Sequence, residues 1–282
     1  MEAHKQTLHF FIISDSIGET ALNVAKAIVS QFPYVHTVLH KFTFISTITR
    51  LTSILDQAKD LQAIVLMTLS NYAQATEAEQ YCQKYQLHYF NLTQPFTQLI
   101  TKLTGHEPIQ VAGAQHELSD EYFNRINAME FAMRYDDGKD PKIFLQADIV
   151  LLGISRTSKT PLSMYLATMG YRVANLPLIP ENKIPDIIFQ VDPKKIVGLT
   201  NDMNVIQKFR RKRMAEFGLP QTSAYASHDR IQEELEFANR LYHQLQCPII
   251  NVADRSIEET AHIIVEVLNF PNTSENLNSK NN

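Results

Sequence analysis

Ala147-Asp148-Ile149-Val150-Leu151-Leu152-Gly153-Ile154-Ser155-Arg156-Thr157-Ser158-Lys159-Thr160, running on into Pro161-Leu162-Ser163-Met164-Tyr165-Leu166-Ala167, reads as strand, phosphate loop and helix. Ile149 to Leu152 is a short unbroken apolar run, as expected of a parallel strand buried on both faces, and it stops at a glycine. Ser158-Lys159-Thr160 follows, so the segment fits G-x4-G-K-[ST] with Ser158 in place of the second glycine. A loop of that length turns successive backbone N–H groups inward on phosphate oxygens, at the positive end of the next helix. Gly153, Ile154, Ser155, Arg156, Thr157, Ser158, Lys159 and Thr160 are therefore the candidate phosphate-binding residues. Lys159 would reach a terminal phosphate, Thr160 a Mg²⁺ ion, and the Arg156 guanidinium could fork two oxygens. A strand-to-helix turn that happens to carry a lysine is the plainer alternative, and the strand before and helix after weigh against it. Because a second glycine normally supplies dihedrals closed to other residues, Ser158 predicts a loop geometry unlike the usual one.

Outward from the loop, the second half predicts strand 148–152, helix 161–169, strands 171–175 and 195–199, helices 203–217 and 228–245, strand 248–252 and helix 256–268. The first half predicts strand Leu8 to Ile13, helix Glu19 to Ser30, an extended Val35 to Phe44, helix Ile48 to Ala58, strand Ala63 to Thr68, helix Thr76 to Tyr85, strand Leu87 to Leu92 and helix Phe96 to Leu103. Gly105 to Leu118 has no periodicity and reads as a link, and Ser119-Asp120-Glu121 as the cap of a helix from Tyr122 to Tyr135. Strands alternating with helices give an α/β fold class, because parallel strands need crossover connections. The expected organisation is an N-terminal βα-repeat domain with a mostly parallel sheet over 1–145, then a P-loop kinase-like α/β domain over 146–270. From Pro271 to residue 282 the Asn- and Ser-rich composition predicts a disordered tail.

A chain of 282 residues with 44% hydrophobic side chains can build two cores. A net charge of −4, with Lys208 to Arg213 as its basic run, argues against a general nucleic-acid binder. Cys82 and Cys247 stand far apart without a C-x-x-C, so neither a disulfide framework nor a zinc site is suggested, and a cytoplasmic location fits. The apolar run after Lys5 is too short for a signal core or a membrane span.

Four further stretches have two readings each. Ser14 to Thr20 lies where open α/β sheets bind ligands, yet Ser16 with Glu19 also fits an N-cap. Asp136-Asp137-Gly138 could be a helix ending on glycine; paired acids there are unfavourable, and one carboxylate could instead take a proton or hold Mg²⁺. Lys208 to Arg213 is a solvated basic face or a lid whose arginines neutralise a transferred phosphoryl group. Asp202 orders Mg²⁺ or caps the helix after it, with the cap favoured.

Gly153 to Ala167, Ser14-Asp15-Ser16-Ile17-Gly18-Glu19-Thr20-Ala21, Tyr122-Phe123-Asn124-Arg125-Ile126-Asn127-Ala128-Met129-Glu130-Phe131-Ala132 leading to Asp136-Asp137-Gly138, and Ser256-Ile257-Glu258-Glu259-Thr260-Ala261 resemble the motifs of the pyruvate, phosphate dikinase regulatory proteins. The resemblance spans nearly the whole chain. It implies a bifunctional serine/threonine kinase and phosphorylase: the β-phosphate of ADP is moved onto a threonine of the dikinase, inactivating it, and inorganic phosphate removes that group with release of pyrophosphate. The implied catalytic residues are Lys159, Asp137 and Arg156, with ADP as donor, Mg²⁺ at Thr160 and phosphate as co-substrate. The implied partners are pyruvate, phosphate dikinase, ADP, phosphate and pyrophosphate, with no nucleic acid or membrane and a homodimer left open. Thr157-Ser158 is similar to the dikinase branch, where regulators of phosphoenolpyruvate synthase resemble Cys-Gly. The alternatives are a synthase regulator using the same chemistry, a non-catalytic module that senses ADP or phosphate, and a P-loop kinase acting on a small metabolite.

Overall fold

The computed structural model describes residues 7–114, 120–138, 140–218 and 224–270. The chain divides into two compact units, Met1–Glu117 and Leu118–Asn282. Each is built on a four-stranded, all-parallel sheet.

In the first unit the order along the chain is β1 (Leu8–Ser14), α1 (Glu19–Val29), β2 (Thr37–Phe42), α2 (Ile48–Asp60), β3 (Ile64–Thr68), α3 (Tyr72–Lys84), β4 (Tyr89–Asn91) and α4 (Gln94–Thr104). The strands lie in the order β2-β1-β3-β4. Alternate side chains of β1 serve opposite faces: Phe11 and Ile13 join α2 and α3, whereas Phe10 and Ile12 meet Ala21 and Ala25 of α1. The chain therefore leaves β1 in one direction for β2 and returns past it to β3, which makes the carboxyl ends of β1 and β3 a topological switch point.

The second unit repeats that order. It holds α5 (Asp120–Arg134), β5 (Ile149–Gly153), α6 (Lys159–Thr168), β6 (Val173–Pro177), β7 (Ile196–Thr200), α7 (Met203–Glu216), α8 (His228–Leu245), β8 (Ile249–Asn251) and α9 (Ile257–Val267), with strands ordered β6-β5-β7-β8. Every residue of β5 is buried, as its unbroken apolar run requires. Val150 and Leu152 pack toward α8, and Ile149 and Leu151 toward α6 and α9. Ser256 and Glu259 form a capping box that starts α9. Tyr242 of α8 closes the space beneath the strand ends, its hydroxyl within reach of the Leu152 and Leu199 carbonyls at 3.2 and 2.9 Å. Gly198 is required opposite it, since a Cβ there would lie 2.7 Å from the ring.

The unit boundary falls at 117/118 instead of 145/146, so α5 goes with the second unit. Small side chains explain this: Ala128 and Ala132 of α5 pack closely on Ala167 of α6. β6 sits two residues later than predicted, which brings Asn175 into the buried part of the strand. The Ser119 cap and the tail from Pro271 lie outside the described residues. No described helix is long and apolar enough to cross a membrane.

Candidate active site

At the second unit's switch point, β5 ends in Gly153, beside Leu199 of β7. A Cβ on Gly153 would lie 2.4 Å from Thr157 Oγ1 and 3.3 Å from the Leu199 carbonyl, so only glycine lets the loop close so tightly. Thr157 is fully buried and its hydroxyl donates to the Ile154 carbonyl at 2.9 Å, which ties the turn together. Arg156 and Ser158 both take left-handed backbone, with φ of 77° and 59°. Ser158 precedes α6 without a side-chain hydrogen bond to its first turn, which leaves the helix amides open to an anion.

The second-glycine position thus does demand left-handed dihedrals, and serine adopts them at a cost. Ser158→Gly should stabilise the protein by about 1 kcal/mol, which for a unit of this size raises the melting temperature by roughly 2–4 °C. Thermal denaturation measures this, and a lowered melting point would mean that the serine side chain, not the backbone, holds the loop.

Lys159 is buried, and its ammonium donates to the Ile154 carbonyl at 3.0 Å. Burial draws its pKa down to about 8; Asp137 and Asp136 counter this, while Arg156 and Arg210 push the same way as burial. An anion in the site would restore the proton. Below pH 8 the group is mostly charged and ready to bind, and above it each binding event must first take up a proton. Affinity for a phosphate-bearing ligand should therefore fall as the pH rises through about 8. Calorimetry at pH 8.5 in buffers of different ionisation enthalpy should register that uptake, and no uptake would place the proton elsewhere.

The acidic segment is not a simple helix end. α5 stops at Arg134, and Asp136–Gly138 form a separate 3-10 turn against β6. Asp136 accepts from Thr160 Oγ1 at 3.1 Å and from Asn175 Nδ2 at 2.6 Å. Asn175, fully buried, also donates to Ser163 Oγ at 3.1 Å, while its carbonyl oxygen accepts the Asp137 N–H at 3.2 Å. One amide thus fixes both aspartates relative to α6. Asp137, at φ 59°, lines the same cavity as Lys159.

That cavity encloses about 1000 Å³. Its walls include Ser155, Arg156, Ser158, Lys159 and Thr160 of the loop, Ile179 beyond β6, Phe209 and Arg213 of α7, Tyr225 just before α8 and Arg230 within it. The Arg156 Nε is buried and has no hydrogen-bond partner among the described residues, so a ligand oxygen would satisfy it.

The basic run divides along α7. Arg210 is fully buried, with its Nη2 2.5 Å from Glu234 and 3.2 Å from the Ser155 carbonyl, and its guanidinium over the Tyr225 ring. It braces the loop from behind and cannot act as a lid. Arg213 lines the cavity, whereas Lys208, Arg211 and Lys212 are exposed. Glu234 also takes Arg230 at 2.9 Å, so the buried carboxylate serves two guanidinium groups. Asp202 caps α7 through the Asn204 and Val205 amides and does not line the cavity. Its neighbour Asn201, buried, donates to the Arg156 carbonyl at 3.3 Å.

Ser14 to Thr20 occupies the equivalent edge of the first unit, where it borders a cavity of about 290 Å³. The N-cap reading of Ser16 and Glu19 is overturned. Gly18, left-handed at φ 76°, is the cap residue of α1, and Glu19 pairs with Lys41 at 2.8 Å. Asp15 accepts the Ser70 N–H at 2.5 Å.

The sequence matches the family model described as kinase/pyrophosphorylase over residues 10–265. The chain belongs to this family. Relatives of this chain carry the provisional name of pyruvate, phosphate dikinase regulatory protein. One from Enterococcus faecalis is 49% identical over 264 residues, covering 94% of this chain and 96% of that protein. A second, from Latilactobacillus sakei, is 49% identical over 259 residues, 92% of each chain. A third, from Lacticaseibacillus casei, is 49% identical over 261 residues, 93% of this chain and 95% of the other. Asn175, Asn201, Tyr225, Arg230 and Glu234 were not among the residues singled out in the sequence. Asn175 alone left a local sign there, as a lone amide inside the apolar run Val173-Ala174-Asn175-Leu176.

Proposed function

We propose that the protein regulates pyruvate, phosphate dikinase by moving the β-phosphate of ADP onto a threonine of that enzyme and by removing the same group with inorganic phosphate, releasing pyrophosphate. The observation that carries the reading is one cavity that brings together Lys159, Arg156 and the open amides of α6 with the carboxylate of Asp137. The relatives' names support the dikinase as partner over phosphoenolpyruvate synthase.

In the phosphorylating direction the threonine oxygen bonds to the β-phosphorus, the bond to the bridging oxygen breaks, AMP leaves and one proton is released. Asp137 is the group positioned to take that proton. Lys159 and Arg156 hold the phosphoryl oxygens as charge moves across them. In the opposite direction a phosphate oxygen attacks phosphothreonine, and hydrogen phosphate can hand its own proton to the departing threonine oxygen. No net proton is released. Both reactions pass one phosphoryl group between a threonine and a second phosphate, so one anion pocket serves both.

Thr160 and Asp136 are hard oxygen donors side by side at the loop's end, and they fit Mg²⁺. Among the described residues no group of three or more His, Cys, Asp and Glu could hold a metal ion alone. That suits an ion which takes most of its ligands from water and phosphate. When bound it would neutralise phosphate charge. Asn175 keeps the Asp136 carboxylate facing Thr160.

The deciding experiment incubates the protein with β-labelled ADP and purified dikinase, then adds phosphate. Label should appear on a dikinase threonine and leave as pyrophosphate. ADP binding without label transfer would favour a sensing module, and labelling of a small metabolite would exclude the dikinase reading.

A further inference from the structure

α7 buries an arginine and exposes the phenylalanine beside it. Arg210 is fully buried, whereas Phe209 is 50% exposed and, among the described residues, packs into none of the second unit's hydrophobic clusters. A phenyl ring left facing water forgoes the burial that its apolar surface favours. The rotation of the helix is set instead by Arg210, which bonds to Glu234 and to the Ser155 carbonyl. That same rotation puts the Phe209 ring on the wall of the cavity that holds the loop. Of the described aromatic residues on this cavity, Tyr225 is already engaged: its hydroxyl pairs with Ser155 Oγ at 2.6 Å and one face of its ring carries the Arg210 guanidinium. Phe209 is the ring with a face to offer.

Strand order places that ring relative to the chemistry. β5 leads into the loop, with β6 on one side of it and β7 on the other. Asp137 is on the β6 side, its N–H bonded to Asn175 of β6. α7 follows β7, so Phe209 is on the opposite side. Phosphoryl transfer keeps the attacking and leaving oxygens roughly in line across the phosphorus. An acceptor hydroxyl at Asp137 therefore requires the departing nucleoside phosphate to extend toward α7. The volume agrees, since about 1000 Å³ is the upper end of the ~300–1,000 Å³ pockets that hold whole organic ligands, more than phosphates alone would fill.

We propose that Phe209 is the base-binding residue of this site, the adenine ring of ADP stacking on its exposed face while the phosphates lie against Arg156, Lys159 and the α6 amides. The placement rests on the proposed transfer from ADP to a hydroxyl held at Asp137. A phenyl face binds a base by stacking and supplies no hydrogen bond, so it adds affinity for a nucleotide without choosing among bases. Inorganic phosphate and pyrophosphate carry no base, and their binding is independent of this ring.

The test uses the full chain with two substitutions, and calorimetry with ADP and with pyrophosphate as probes. Phe209→Ala should weaken ADP binding about 10- to 100-fold, the usual worth of a base stacked on an aromatic side chain, and leave pyrophosphate binding unchanged. The chain contains no tryptophan, so Phe209→Trp installs a single emitter. That variant should keep its ADP affinity, and its fluorescence should respond to ADP but not to pyrophosphate. Unchanged ADP affinity in Phe209→Ala would overturn the placement and leave the phosphate site standing. Equal weakening of both probes would also overturn it, because the ring would then be supporting the loop. A wild type that fails to bind ADP would bring down the ADP reading itself, and the role of Phe209 with it.

Discussion

Lys159→Ala should abolish ADP-dependent phosphorylation of the partner threonine, lowering the rate by about 10³-fold or more, with the fold intact. The ammonium is buried beneath the Gly153–Thr160 loop, so no solvent cation can take its place once it is removed. Stability should survive, because a buried Lys whose pKa is drawn down to about 8 already costs the folded state something to keep charged at neutral pH. Lys159→Met is the companion variant: it fills much of the same space without charge and should be equally inactive. If Met restored labelling, the side chain would be packing the loop instead of holding phosphate. The pH effect on ADP affinity should vanish in both variants, which ties the titration to this one group. Normal labelling of the dikinase by Lys159→Ala would remove the phosphate-loop assignment altogether.

Asp137→Asn should separate the two reactions. Phosphorylation releases a proton and should slow by roughly 10² to 10⁴, the usual worth of a positioned proton acceptor. Phosphorolysis releases none and should suffer far less. Asparagine tolerates left-handed backbone, so the turn at φ 59° should be kept. The comparison must be made near pH 6.5, because the Asp137 charge helps hold up the pKa of Lys159, and its loss lets that pKa fall further. At that pH Lys159 stays protonated and ADP affinity should be unchanged. Equal activity of wild type and variant in both directions would take Asp137 out of the mechanism. Equal loss in both would make it a phosphate-positioning group instead of a base.

Much of this is written locally in the chain. A fully apolar run ending on glycine announces a strand buried on both faces, and Ile149 to Gly153 is such a strand. The alternation of short apolar runs with amphipathic helices was enough for an α/β fold with parallel sheets, since each element's period is set by which of its own faces is buried. The 18-residue α8 follows directly from its stripe and its Ser227 cap. At Ser158 the local reading pointed the other way: a residue other than glycine predicts an unusual loop, yet Ser158 takes the left-handed dihedrals that glycine would supply.

The tertiary structure alone decided how these pieces share a site. Lys208 to Arg213 reads as one basic face, yet helical rotation turns Arg210 inward to Glu234 and the Ser155 carbonyl, leaves Arg213 on the cavity and sends Arg211 to solvent. Asp136 and Asp137 are adjacent in sequence and identical in chemistry. They part only because Asn175, some forty positions later, lies beneath the turn and holds Asp136 to Thr160 while Asp137 faces the cavity. Ser16 and Glu19 matched a cap pattern that was not used, because a left-handed Gly18 set the start of α1. In each case the local pattern specifies only an element's own backbone and buried stripe. The partner of a polar side chain is set by which strand lies beside which, and strand order depends on contacts far apart in the chain.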